Sequence, residues 1–118
     1  MDTVDTYTKT LEKTIQNLLE RQNDLIRTAF TDQLTGLGNH GGFTRSLEEL
    51  WEQGTPVTMA YIDIDNLKHC NDAFGHDEGN RYIMQVSLYL KLYIKVDEAV
   101  FRLGGDEFAI LSTVATED

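Results

Sequence analysis

The chain has 118 residues, 41% hydrophobic and 25% charged, which bounds it to one globular domain with a modest core plus an extension. A formal net charge of −10 argues against a nucleic-acid backbone as partner, because phosphates are bound by clustered Lys and Arg; a nucleotide stays admissible where a divalent cation neutralises both sides. The single cysteine, Cys70, excludes an intrachain disulfide and fits a reducing compartment, and no apolar run approaches the roughly 20 residues of a membrane span.

The polar N-terminus lacks a signal-peptide core, so the chain reads as cytoplasmic, the soluble end of something longer. Residues 1–30 contain no Gly and no Pro, and Val4, Leu11, Leu18 and Leu25 recur every seven residues. Thr8, Ile15, Gln22 and Ala29 occupy the second seam position, half of it weak. This predicts one long amphipathic helix suited to a parallel two-stranded coil; the alternative is a helix packed on its own domain. Residues 31–43, TDQLTGLGNHGGF, read as a loop. Thr44 then caps a helix over 45–53, with Leu47, Leu50 and Trp51 on one face and Gly54 as its stop. Residues 57–63 read as a strand whose apolar continuity suggests burial on both faces. A short helix follows near 66–72 and a long one over 79–96, the latter carrying Ile83, Val86, Leu90 and Ile94 at helical spacing. Strands over 98–103 and 107–114 flank Gly104 and Gly105, a tight hairpin.

Three stretches carry chemistry or imitate it. Gly36-Leu37-Gly38-Asn39-His40-Gly41 fits the dinucleotide-binding spacing, yet a polar helix stands where that motif needs a strand, so it reads as a glycine loop. Asp63 and Asp65, two apart in an extended chain, point to the same side at the C-terminal end of a strand, where α/β sheets bind ligands. Hard oxygen donors suit Mg²⁺ shared with nucleotide phosphates; the plainer reading is one helix cap and one solvated acid. Arg102-Leu103-Gly104-Gly105-Asp106-Glu107-Phe108 joins a turn open to a phosphate or ribose with acids that reach the same metal if the hairpin lies beside the first strand. Taken alone, it reads first as a surface hairpin with a solvated acidic tip.

RLGGDEF, with DIDNLKHCNDAFGHDEGN and DQLTGLGN upstream in the same order, resembles the GGDEF family of diguanylate cyclases from about residue 30 onward. The helix over 1–30 is similar to the signalling helix that often precedes such domains, which divides the chain into 1–30 and a partial GGDEF domain over 31–118. The resemblance implies an α+β fold: a ferredoxin-like, nucleotidyl-cyclase-like sheet with antiparallel pairs, lacking its final helix–strand unit. It implies condensation of two GTP into cyclic di-GMP and pyrophosphate, with Mg²⁺ or Mn²⁺ as cofactor, by in-line attack of a 3′-hydroxyl on an α-phosphorus. Asp63, the Ile64 carbonyl and Asp106 would hold metal. Asp106, with Glu107 beside it, would act in catalysis, and Gly104 and Gly105 would let the nucleotide lie against the turn. Lys68 is a candidate near the phosphates.

Departures from the family pattern are specific. Asn71 matches the guanine-reading Asn, but the partner Asp is here Asn80, which offers one acceptor and an unwanted donor. The Arg-Arg pair of the loop is His40-Gly41, which puts loop anchoring in question. The inhibitory product site is reduced to Lys95 and Glu98, where Lys lacks the planar fork of Arg, so weak or absent product inhibition is expected. His40, His69 and His76 show no ligand spacing, and Cys70 reads as a small buried residue. The sequence stops at Asp118, before the family's last helix, strand and phosphate-gripping basic pair. That predicts an open edge on the strand at 57–63, self-association through it, and a weakly active or inactive fragment. Two domains must face each other in the family, so a homodimer is expected. The alternatives are a degenerate module that binds nucleotide, or nothing, and regulates a neighbouring domain, and a purely structural dimerisation module.

Overall fold

Freedom from Gly and Pro lets α1 (Thr3–Phe30) run 28 residues, about 42 Å, from an Asp2 cap whose Oδ1 accepts from the Val4 N–H at 3.2 Å. The structure, a computed structural model, describes residues 2–113. Beyond α1 come α2 (His40–Glu52), β1 (Thr58–Asp63), α3 (Leu67–Phe74), α4 (His76–Tyr93), β2 (Glu98–Arg102) and β3 (Glu107–Ser112). No residue of α1 is buried, so the helix does not pack along its own domain. The radius of gyration, 20.1 Å, exceeds the ~13–14 Å of a compact chain this long, because α1 projects as a stalk. Among the described residues no helix is long and apolar enough to cross a membrane.

The sheet runs β1-β3-β2, both pairs antiparallel. Strand alternation sends Val100, Phe108 and partly buried Ile110 to a core with Ile64, Leu67 and Ile83 from the α3–α4 side. Phe101, Ala109 and Leu111 go to the other face, against Phe43 of α2. Helices therefore cover both faces, and β3 lies at the centre, with Phe108 and Ala109 at 0% exposure. β1 is an edge strand, as the open edge expected for 57–63 requires, but it is not buried on both faces: it is exposed except for half-buried Ile62. Its apolar run reflects one partnered side, not burial on both faces, and its outer edge has no strand partner among the described residues.

Other boundaries move for local reasons. Asn39, not Thr44, caps α2: its Oδ1 accepts from the Gly42 N–H at 2.9 Å, and the helix begins at His40 rather than 45. The loop therefore ends at Asn39, and Thr44 lies inside the helix, donating its hydroxyl to the His40 carbonyl. Glycine at 41 serves close approach, since a Cβ there would lie 2.9 Å from the Ala29 carbonyl at the end of α1. Trp51 does not join the inward face of α2 and is 86% exposed. The long helix starts at His76, not 79, and ends at Tyr93. Cys70 is half-buried rather than buried. β3 spans 107–112; position 114 of the predicted strand lies outside the described residues.

Candidate active site

Antiparallel register brings the two acidic motifs to one end of the sheet. Asp63, the last residue of β1, stands directly opposite Glu107, the first of β3. The Ile64 N–H continues the ladder by donating to the Asp106 carbonyl at 2.8 Å. Glu107 is thus the cross-strand neighbour of Asp63, and Asp106 sits one residue further, in the turn. Like charges directly opposite on a strand pair repel, so the arrangement favours a bound cation. Asp65 does not share this strand face: β1 stops at Asp63, and Asp65 lies in a turn where the Tyr82 hydroxyl donates to its carbonyl at 3.2 Å. Asp63, Asp106 and Glu107 are all exposed. Among the described residues no three Asp, Glu, His or Cys side chains form a ready-made cage. A pair of carboxylates with open positions suits Mg²⁺ or Mn²⁺, which keep water and take up substrate phosphate oxygens.

Leu103 to Asp106 form the hairpin loop, closed by the Leu103 N–H donating to the Glu107 carbonyl at 2.8 Å. Neither Gly104 nor Gly105 adopts positive φ in this four-residue connection between β2 and β3. A Cβ at Gly105 would meet nothing within 4 Å, and one at Gly104 only the Glu107 carboxylate at 3.8 Å. Neither backbone angle nor internal packing demands glycine, so its lasting effect is open space over the turn. A cleft of about 360 Å³ adjoins it, lined by Asp32, Asn39, His40, Arg102, Gly104 and Gly105. A second, about 360 Å³, adjoins Tyr61, Asp63 and Glu107.

The loop before α2 is anchored without the family's two arginines. The Asp32 carboxylate accepts from the Thr35 N–H at 2.9 Å and hydroxyl at 2.7 Å, and from Arg102 Nη1 at 3.1 Å. Burial alone would raise the pKa of Asp32; the Thr35 hydrogen bonds and the Arg102 charge outweigh it and hold the carboxyl below the usual range. Asn39 Nδ2 donates to the Ala29 carbonyl at 3.1 Å, and Lys91 Nζ to the Thr35 carbonyl at 3.0 Å. Sequence reasoning assigned no role to Asp32, Asn39 or Arg102. The Asp-x-x-Thr spacing signals the local turn, but the partner 70 residues away leaves no local trace.

The remaining candidates lie elsewhere on the surface. Asn71 is half-buried on α3, and a Cβ at Gly79 would overlap its side-chain amide, so α3 and α4 cross closely there. Asn80, the next residue of α4, is exposed, as are Lys68 on α3 and the histidines His40, His69 and His76. Lys95 and Glu98 share a turn: Glu98 Oε1 accepts from the Lys95 N–H at 2.7 Å, and the Glu98 N–H donates to the Lys95 carbonyl at 3.0 Å. The carboxylate is therefore committed to its own backbone.

The family model described as diguanylate cyclase, GGDEF domain, matches residues 29–118. Diguanylate cyclase DgcP of Escherichia coli is 36% identical over 105 residues, covering 86% of this chain and 31% of the relative. Response regulator PleD of Caulobacter vibrioides is 36% identical over 109 residues, covering 89% of this chain and 22% of the relative. A crystal structure of the coiled coil and GGDEF domain of DgcB from Caulobacter crescentus, in complex with c-di-GMP, superposes with a TM-score of 0.85. It is 28% identical, over 98% of this chain and 63% of that one. The chain thus spans about a third or less of these curated relatives. The acidic strand end, the glycine hairpin beside it, the projecting helix and these likenesses agree: the chain belongs to the GGDEF domain family of diguanylate cyclases.

Proposed function

We propose that the protein containing this chain condenses two GTP molecules into cyclic di-GMP and pyrophosphate, and that residues 31–118 supply part of the catalytic domain while 1–30 form a signalling stalk. The reading is carried by the β1–β3 register, with Asp63 opposite Glu107 and Ile64 bonded to Asp106. Asp63, the Ile64 carbonyl and Asp106 would hold Mg²⁺ or Mn²⁺, whose charge would offset that of the triphosphate and the departing pyrophosphate. Asp106 is the candidate to activate the 3′-hydroxyl, with Glu107 adjoining it. Gly104 and Gly105 leave room for the nucleotide, Asn71 and Asn80 would contact guanine, and Lys68 on α3 is the basic candidate for phosphate.

One such half-site holds one GTP, so two copies must face each other. Val4, Leu11, Ile15, Leu18 and Leu25 are 49–71% exposed along α1 and supply an apolar seam for a homodimer. GTP as substrate and an unpaired thiol suit the cytoplasm. The commitment of Glu98 to the Lys95 backbone supports the expectation of weak product inhibition at that site. Asn80 favours a second reading, a degenerate module that binds nucleotide without turnover.

The test is cyclic di-GMP formation by the full-length protein with GTP and Mg²⁺. Asp63→Ala and Asp106→Ala are each expected to lower kcat at least about 100-fold, the scale of losing a transition-state contact, while thermal stability stays within a few degrees. Nucleotide binding without product supports the second reading. Full activity in both variants sinks the first.

A further inference from the structure

The signature hairpin has little to hold it. Gly104, Gly105, Asp106 and Glu107 are exposed, and a Cβ at Gly105 would meet nothing within 4 Å. Within the loop, the Leu103 N–H donates to the Glu107 carbonyl at 2.8 Å, but the Gly104 N–H reaches the same oxygen only at 3.5 Å. Two adjacent glycines carry the largest backbone entropy of any dipeptide, so such a turn samples many conformers unless something outside it intervenes.

Arg102 intervenes. Its Nη2 donates to the Gly105 carbonyl at 3.1 Å, while Nη1 donates to both oxygens of Asp32 at 3.1 and 3.3 Å. The two side chains are only 15% and 20% exposed, so water and salt screen the pair weakly. Asp32 is itself immobilised: Thr35 donates twice to its carboxylate, and its N–H donates to the Leu37 carbonyl at 2.7 Å. The same loop is fastened to the stalk, because the Asn39 N–H donates to the Phe30 carbonyl at 3.0 Å. Its far end is fastened to β2, where the Arg102 N–H donates to the Gly38 carbonyl at 2.8 Å.

We propose that Asp32 and Arg102 are positioning residues: the guanidinium fork ties the Gly104–Asp106 turn to the joint at the end of α1 and so fixes where the Asp106 and Glu107 carboxylates stand. This rests on the hairpin being catalytic. The planar fork can serve Asp32 and Gly105 at once because its two terminal nitrogens lie at a fixed angle; a lysine keeps the charge but loses that geometry. Displacement of a reacting group by about 1 Å costs on the order of 100-fold in rate, so a tether one hydrogen bond deep is enough to matter.

The experiment uses the full-length protein and the variants Arg102→Lys, Asp32→Asn and their double. Exchange of the Leu103 and Ile64 amides, which donate to the Glu107 and Asp106 carbonyls on either side of the turn, is expected to rise at least about tenfold in each single variant, while exchange in β3 at 109–111 changes less than about twofold. Rates of cyclic di-GMP formation are expected to show kcat lowered about 10- to 100-fold with KM for GTP within about threefold, and the double variant no worse than the weaker single one. Hairpin exchange that does not change overturns the proposal. So does a rise spread evenly through β3, or a loss of kcat that matches the loss of folded protein. Should Arg102→Lys fail to fold, the nearly isosteric Asp32→Asn carries the same test. A wild-type protein that makes no cyclic di-GMP removes the cyclase reading, and the exchange measurement still decides the tether.

Discussion

Asn80 follows Gly79, the residue over which the Asn71 amide packs, so it stands beside the α3–α4 crossing. If that crossing reads guanine, an aspartate at 80 would accept from the ring N–H and the exocyclic amino group together, which Asn80 cannot do. Asn80→Asp is therefore expected to raise the ratio of kcat/KM for GTP over ATP by about tenfold or more, the worth of one charge-assisted hydrogen bond. An unchanged ratio places base recognition elsewhere. Asp32 makes a prediction about acid. Its carboxyl titrates below the ordinary range when folded, so its contribution to stability is complete above that range and fades as pH falls through the depressed value. Asp32→Asn should leave a flatter acid limb in a plot of Tm against pH, with the largest deficit near neutrality. Parallel curves would show that the ion pair adds nothing measurable.

At the scale of elements, the loop over 31–39 was legible as a break in periodicity but not as a structural part. Thr31 and Gly38 pair with each other, and Gly38 also bridges to Phe101, so the loop covers the outer edge of β2. That contact is why position 38 is glycine: a Cβ there would overlap the Phe101 ring, itself 6% exposed. Gly38→Ala is expected to cost about 1–3 kcal/mol in chemical denaturation, the range for forcing volume into a packed site. A cost below about 0.5 kcal/mol would mean that the loop yields freely. The order of helices and strands is legible in the sequence because their periods of 3.6 and 2 are local properties. Their ends are less legible, because caps such as Asn39 compete with equally plausible neighbours such as Thr44.

For the whole molecule, the stalk decides the shape. The longest dimension is 65 Å, and α1 touches the rest of the chain chiefly at α2. Leu18 is 59% exposed in the middle of the seam and has no role in folding its own domain. Leu18→Glu in the full-length protein should leave helical content and the domain's melting unchanged while shifting dimer to monomer in sedimentation. Activity at micromolar protein should fall at least about tenfold, because two half-sites no longer meet. A dimer that survives the charge would assign pairing to another surface.

The sequence by itself presented the side chains of the candidate site: three acids and two glycines, in an order along the chain that resembles the GGDEF family. It also determined the stalk, since a 28-residue helix with an apolar seam needs only local propensity. Only the tertiary structure decided that β1 is exposed rather than buried on both faces, that Glu107 rather than Asp106 faces Asp63, and that Arg102 reaches back to Asp32. Register and long-range ion pairs depend on how layers stack in space, and apolar period, the signal that marks strands and helices, is blind to both.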